Sequence, residues 1–129
     1  MNLILVRGLP GSGKSTIAKS LSNFIHLETD QFWGPDYIFD ISRIREAHEW
    51  CQNETKRHLK LGNDVVVSNT FTTLKEMRPY FQMAGHHNIK PQVILAQGQW
   101  KNVHNVPAEV LGKMKERFEF DISYLYKEF

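Results

Sequence analysis

Nine consecutive residues constrain this chain more than any others: Gly8-Leu9-Pro10-Gly11-Ser12-Gly13-Lys14-Ser15-Thr16. They fit G-x-x-x-x-G-K-[ST] and lie between an apolar run at residues 2–6 and a helical pattern starting at Lys14, the context that makes the pattern informative. Glycines, lacking Cβ, let successive backbone N–H groups curl around phosphate oxygens, and a helix starting at Lys14 adds the positive end of its dipole. In this reading Lys14 reaches the β- and γ-phosphates as a point charge and the Ser15 hydroxyl holds Mg²⁺. An ordinary glycine-rich turn is the plainer account, but motif, position and flanking elements together favour a nucleoside triphosphate. The expected cradle is Gly8, Pro10, Gly11, Ser12, Gly13, Lys14, Ser15 and Thr16.

The rest of the chain alternates strand with helix. Lys14 to Phe24 reads as a helix with Ile17, Leu21 and Phe24 on one face, and His26 to Thr29 as a second strand ending at Asp30. Ser42 to Leu61 reads as a long amphipathic helix through Ile44, Ala47, Cys51 and Leu59, with Gly62 as its left-handed stop. Val65-Val66-Val67 is a β-branched run expected at the centre of a sheet. Thr73 and Glu76 offer a capping box for a helix to about Ala84, stopped by Gly85. Gln92 to Ala96 is the fourth strand, and Pro107 opens a last helix carrying Val110, Met114, Phe118 and Leu125 almost to residue 129. Four strand-then-helix units imply one α/β domain over residues 1–129, with a parallel sheet of about four strands and helices on both faces. Ligands of such sheets bind outside the carboxyl ends of the strands, so chemistry is expected in the residues that follow each strand.

Composition narrows the classes. With 41% apolar and 12% aromatic residues, disordered and fibrous chains are excluded, and a net charge of +2 is too mild to compel a polyanionic partner. The one cysteine, Cys51, forms no internal disulfide and suits a reducing compartment, so a cytoplasmic location is expected. The apolar runs fall far short of the roughly 20 residues of a membrane span. Arg7 ends the apolar start and no small-residue cleavage site follows, so neither a membrane partner nor a signal peptide is expected.

Asp30 is the candidate catalytic base: a carboxylate there faces the γ-phosphate across the cleft and accepts the proton of an attacking hydroxyl. A plain Asx-turn before Gly34-Pro35 is the competing account. Phosphoryl transfer is largely dissociative, so such a base mainly orients the nucleophile. Ser15 and Asp30 are the expected metal residues. Asn69 follows the third strand, where many phosphate-loop enzymes place a Mg²⁺-associated aspartate; its amide reaches the phosphate loop or a metal-bound water, or simply forms a turn. His48 leans into the acceptor cleft or packs on its helix, and His86-His87 lacks a third ligand at metal spacing. Phe32, Trp33 and Tyr37 are candidates for stacking on a nucleobase or for packing. The basic clusters at residues 56–60 and 113–117 read as solvated helix faces, with a phosphate-backbone track as the minority reading.

The phosphate loop, Thr29-Asp30, Glu46-Ala47-His48-Glu49-Trp50-Cys51, Val67-Ser68-Asn69-Thr70 and Asn102-Val103-His104-Asn105-Val106-Pro107 together resemble the polynucleotide-kinase-like ATP-binding family, over residues 3 to about 119. The resemblance implies a P-loop NTPase three-layer α/β/α sandwich that uses ATP and Mg²⁺ to phosphorylate a 5′-hydroxyl on a nucleic-acid end. Lys14 and Asp30 match the family's catalytic residues, and Lys14 and Ser15 its phosphate and Mg²⁺ residues. Two features depart from the family. Phe32 and Trp33 stand where an arginine contacts the acceptor phosphate, and the arginine-bearing lid is shortened to residues 97–101. An arginine finger is worth about 10³ to 10⁵ in rate, so a substitute is needed; Lys101, Arg78, Arg43 and Arg45 are the candidates. A small hydroxylated acceptor, or an ATP-binding module with little turnover, are the rival readings.

Overall fold

The computed structural model describes residues 1–98 and 106–129. Four strands, β1 (Leu3–Arg7), β2 (Ile25–Leu27), β3 (Val65–Asn69) and β4 (Gln92–Leu95), form one all-parallel sheet in the order β2-β3-β1-β4. The register aligns Leu3 with Val65 and Arg7 with Asn69, so the ends of β1 and β3 lie side by side, with β2 pairing beyond β3. Its connections include helices α1 (Lys14–Lys19), α2 (Ile44–Lys60) and α3 (Leu74–His86), and α4 (Ala108–Arg117) and α5 (Ser123–Glu128) follow the sheet.

Period-2 alternation divides the core in two. Leu3, Leu5, Val65 and Val67 pack with Cys51 and Leu59 of α2, Met77 and Phe81 of α3, and Leu125 of α5. Ile4, Val6 and Val66 face the other way, against Ala18 and Ile17 of α1. The three-layer α/β/α sandwich is therefore lopsided. The expectation that β3 is central holds, as does the capping box at the start of α3, where Thr73 Oγ1 accepts the Glu76 N–H and the Glu76 carboxylate accepts the Thr73 N–H.

Several boundaries differ from the sequence reading. α1 stops at Lys19 rather than Phe24, yet Leu21 and Phe24 still pack on its face of the sheet from the turn that follows. A 3₁₀ turn, Ile41–Arg43, leads into α2, and Gly62 (φ 83°) closes that helix with Asn63 N–H bonded to His58 O. Gly85 does not stop α3. The left-handed residue is Asn88 (φ 58°), and Ile89 N–H reaches back to Ala84 O. The expected single last helix is two: Phe118 is extended and buried, Glu119 N–H bonds Thr72 O, and Asp121 accepts the Ser123 N–H to start α5. Tertiary contact at Phe118 thus overrides a helical pattern, and Val110 is left 41% exposed rather than in the core.

Candidate functional site

The phosphate loop joins β1 to α1 in the expected place. Gly11 (φ 81°) and Gly13 (φ 93°) adopt left-handed backbone that other residues enter only at a cost. Gly8 is required for a different reason: a Cβ there would sit 2.4 Å from Ser12 Oγ and 2.6 Å from Ala96 O. Lys14 Nζ donates to Leu9 O at 3.0 Å, arching over the loop. Burial pushes the Lys14 ammonium down from its ordinary value, and the carboxylates of Glu28 and Asp30 pull it back up. Ser12 Oγ is buried with no hydrogen-bond partner among the described residues. An orphaned buried hydroxyl, left-handed glycines and an adjacent lysine fit a bound phosphate chain.

The residues after β2 and β3 meet this loop. Glu28, in extended conformation, ends the β2 segment, and a 3₁₀ helix Thr29–Trp33 carries Asp30. The second strand is thus shorter than expected, and Asp30 lies on a helical turn rather than at a strand end. Ser15 Oγ donates to Glu28 Oε2 at 3.0 Å, and Ser68 Oγ donates to the same oxygen at 2.9 Å. His26 Nε2 lies 3.5 Å from that oxygen and 2.8 Å from Ser68 Oγ. Burial raises the Glu28 carboxyl, but the hydrogen bonds from His26, Ser68 and Ser15 outweigh it and hold it down at about 2. Sequence reasoning missed Glu28. The available signal was its spacing, a second acid two residues before Asp30 at the end of an apolar strand.

Asp30 Oδ1 accepts a hydrogen bond from Tyr37 OH at 3.1 Å, with Tyr37 in left-handed backbone (φ 47°). Burial and the Asp30 charge push the Tyr37 phenol up to about 12. Asn69 Oδ1 accepts the Thr29 N–H at 2.9 Å, which ties the turn bearing Asp30 to the end of β3. Thr29 Oγ1 is 3.3 Å from His48 Nδ1, so His48 also reaches this turn. Phe32 meets Trp33 edge-on at 5.1 Å between centroids, Trp33 meets Phe39 likewise, and Arg43 lies 5.0 Å over the Phe32 ring. Among the described residues, the candidate cation Arg43 lies beside the Asp30 turn through its contact with Phe32, while Arg78 is paired with Glu128 on α5. Lys101 and most of the shortened lid fall in residues 99–105, outside the described residues. Cys51 is fully buried and burial pushes its thiol up, in keeping with a small apolar residue.

One cleft adjoins the loop and another lies at the carboxyl end of β3. The first, of about 530 Å³, runs between Gly8–Ser12 and the side chains of Leu111, Lys115, Phe118 and Phe120. The other, of about 450 Å³, is lined by Asn69 to Phe71 at the end of β3, His48 and Gln52 of α2, and Lys75 and Tyr80 of α3. Among the described residues no group of three His, Cys, Asp or Glu side chains could hold a metal, and no helix is long and apolar enough to cross a membrane.

Residues 3–120 match the AAA domain family AAA_33. The chain is 33% identical over 137 aligned residues to human NEDD4-binding protein 2, an alignment that takes in 94% of this chain and 8% of that protein. Among solved structures it is similar to a chain of a Pnkp1/Rnl/Hen1 complex, with TM-score 0.63, 19% identity, and coverage of 87% of this chain and 38% of the other. It also resembles a putative kinase from Chloroflexus aurantiacus, with TM-score 0.60, 18% identity, and coverage of 74% and 58%. The chain belongs to the AAA domain family AAA_33, and its parallel sheet with a phosphate loop between β1 and α1 has the P-loop NTPase fold.

Proposed function

We propose that this chain transfers the γ-phosphate of ATP to a 5′-hydroxyl on a nucleic-acid end. The observation that carries the reading is the convergence of Lys14 and Ser15 at the start of α1 with two carboxylates, Glu28 and Asp30, after β2. The loop amides from Gly11 to Thr16 hold the phosphate chain, and Lys14 swings from Leu9 O to the β- and γ-phosphate oxygens. Ser15 would hold Mg²⁺, which when bound neutralises charge on the β- and γ-oxygens. Asp30 accepts the proton of the incoming hydroxyl while Tyr37 OH fixes the orientation of its carboxylate.

The cleft lined by Leu111, Phe118 and Phe120 offers the nucleoside an apolar wall next to the loop. The polynucleotide acceptor is supported by the family resemblance and by the aromatic cluster beside Asp30. One observation favours a smaller hydroxylated acceptor on the same frame. Arg43, Arg57 and Arg78 each pair with a carboxylate, which blunts a track for a phosphate backbone.

Transfer of labelled γ-phosphate to 5′-hydroxyl oligonucleotides tests the function. Lys14→Ala is expected to abolish productive nucleotide engagement. Asp30→Asn is expected to keep ATP binding and lose about 10²- to 10⁴-fold in turnover. Transfer at the wild-type level by both variants would overturn the reading. An acceptor KM that climbs steeply with salt favours the oligonucleotide, and a salt-insensitive KM favours the small acceptor.

A further inference from the structure

The segment after β3, Val67-Ser68-Asn69-Thr70, carries no carboxylate, although a phosphate-loop enzyme commonly draws the charge that holds its cation from this position. Asn69 is neutral, its amide oxygen takes the Thr29 N–H, and its amide nitrogen lies 3.8 Å from Cys51 Sγ. The neighbouring strand supplies an acid instead. The geometry points to Glu28 as the carboxylate that completes the divalent-cation site of the triphosphate, acting on the cation through Ser15 and by its charge.

The Ser15 hydroxyl has one proton and two lone pairs. With its proton committed to Glu28 Oε2 at 3.0 Å, its lone pairs are turned away from the carboxylate and remain available to a cation. This is how an outer carboxylate orients a ligand atom and raises its basicity. Glu28 is itself held: Ser68 Oγ donates to the same oxygen at 2.9 Å, and His26 Nε2 stands behind both. Ser68 belongs to β3, so the strand that lacks an acid still contributes by fixing one on its neighbour. Lys14 lies close enough to feel the Glu28 charge, which places that carboxylate beside the phosphates the loop would hold.

The sign of the charge separates this role from a purely structural tie between β2 and α1. A carboxylate next to a bare triphosphate repels it; the same carboxylate next to a cation-triphosphate complex attracts the cation. Neutralising Glu28 therefore has opposite effects with and without the metal.

The assignment rests on the triphosphate site proposed above, and the test reads the two separately. The full chain is titrated with a fluorescent non-hydrolysable ATP analogue in EDTA and in Mg²⁺, and Mn²⁺ affinity is read by electron paramagnetic resonance in the presence of the analogue. The wild type is expected to bind the analogue and to bind it more tightly with Mg²⁺. Glu28→Gln is expected to bind equally or more tightly in EDTA, to lose most of the Mg²⁺ gain, and to weaken Mn²⁺ by about 10- to 100-fold. Ser68→Ala, which keeps the carboxylate but removes one of its anchors, is expected to move Mn²⁺ affinity the same way by less, and it carries the test should Glu28→Gln not fold. A full Mg²⁺ gain in both variants overturns the role of Glu28, as does an equal loss of affinity in EDTA and in Mg²⁺. A wild type that ignores the analogue under both conditions overturns the triphosphate site and this role with it.

Discussion

Glu28 shows how much one side chain takes from its neighbours. Three groups from three elements converge on a single carboxylate oxygen, so the carboxyl sits near 2 against an ordinary value of 4.5. A folded value below the unfolded one means that protonation favours the unfolded chain. The stabilisation is complete above about pH 4.5 and is lost as pH falls toward about 2, a component on the order of 3 kcal/mol. Urea unfolding across a pH series is expected to show a stability gap between wild type and Glu28→Gln that closes over this window. A gap independent of pH would contradict the hydrogen-bond account. In the sequence the one trace of this is an acid at the end of a short apolar strand, two residues before Asp30. Asp30 stood out because the sequence reading puts it at the end of the second strand, where ligands of a parallel sheet bind; Glu28 acquires its full meaning only when α1, β2 and β3 are brought together.

At the scale of elements, the phosphate loop is legible because most of its demands are local. The left-handed backbone at Gly11 and Gly13 is set within the loop, whereas the bare Cα at Gly8 is also required by Ala96, remote in sequence. A Cβ on Gly8 would press on Ala96 O, a backbone atom of the segment after β4 that cannot retreat cheaply, whereas one on Gly62 would meet open space. Gly8→Ala is therefore expected to weaken binding of a non-hydrolysable ATP analogue by about tenfold or more, since overpacking costs about 1–3 kcal/mol. Gly62→Ala is expected to cost about 1 kcal/mol of stability through its positive φ and to leave nucleotide affinity unchanged. Paired titrations and melts of the two variants check this; equal affinities would remove the close approach from the account of the loop. Helix ends show the same division. The Thr73 capping box and the Gly62 stop follow from nearest neighbours, while the end of α3 passed Gly85 for Asn88 because Ile89 packs back on the core of α3.

At the scale of the molecule, Arg7 is the residue that sequence patterning treated as the mere end of an apolar run. It is 2% exposed, and its guanidinium donates to Phe71 O at 3.0 and 2.7 Å while lying 4.3 Å over the Phe118 ring. Burial lowers its proton affinity, and Glu119 and Glu76 offset that. Arg7 thus joins the central strand to the segment after β3, where Phe71 holds a left-handed backbone (φ 45°), and to the chain beyond α4. Arg7→Leu leaves the Phe71 carbonyl unpaired in the interior and is expected to cost roughly 2–5 kcal/mol, lowering the melting temperature by about 10 °C. Thermal melting by circular dichroism checks it, and an unchanged transition would refute the bracing role. By itself the sequence determined the alternation of strand and helix, the phosphate loop and the parallel sheet, because periodicity and turn chemistry act over a few residues. Tertiary structure alone decided the strand order, the split of the last helical segment at Phe118 and the meeting of Ser15, Ser68 and Glu28. Each of these depends on residues 13 to more than 40 positions apart, whose contacts no local pattern encodes.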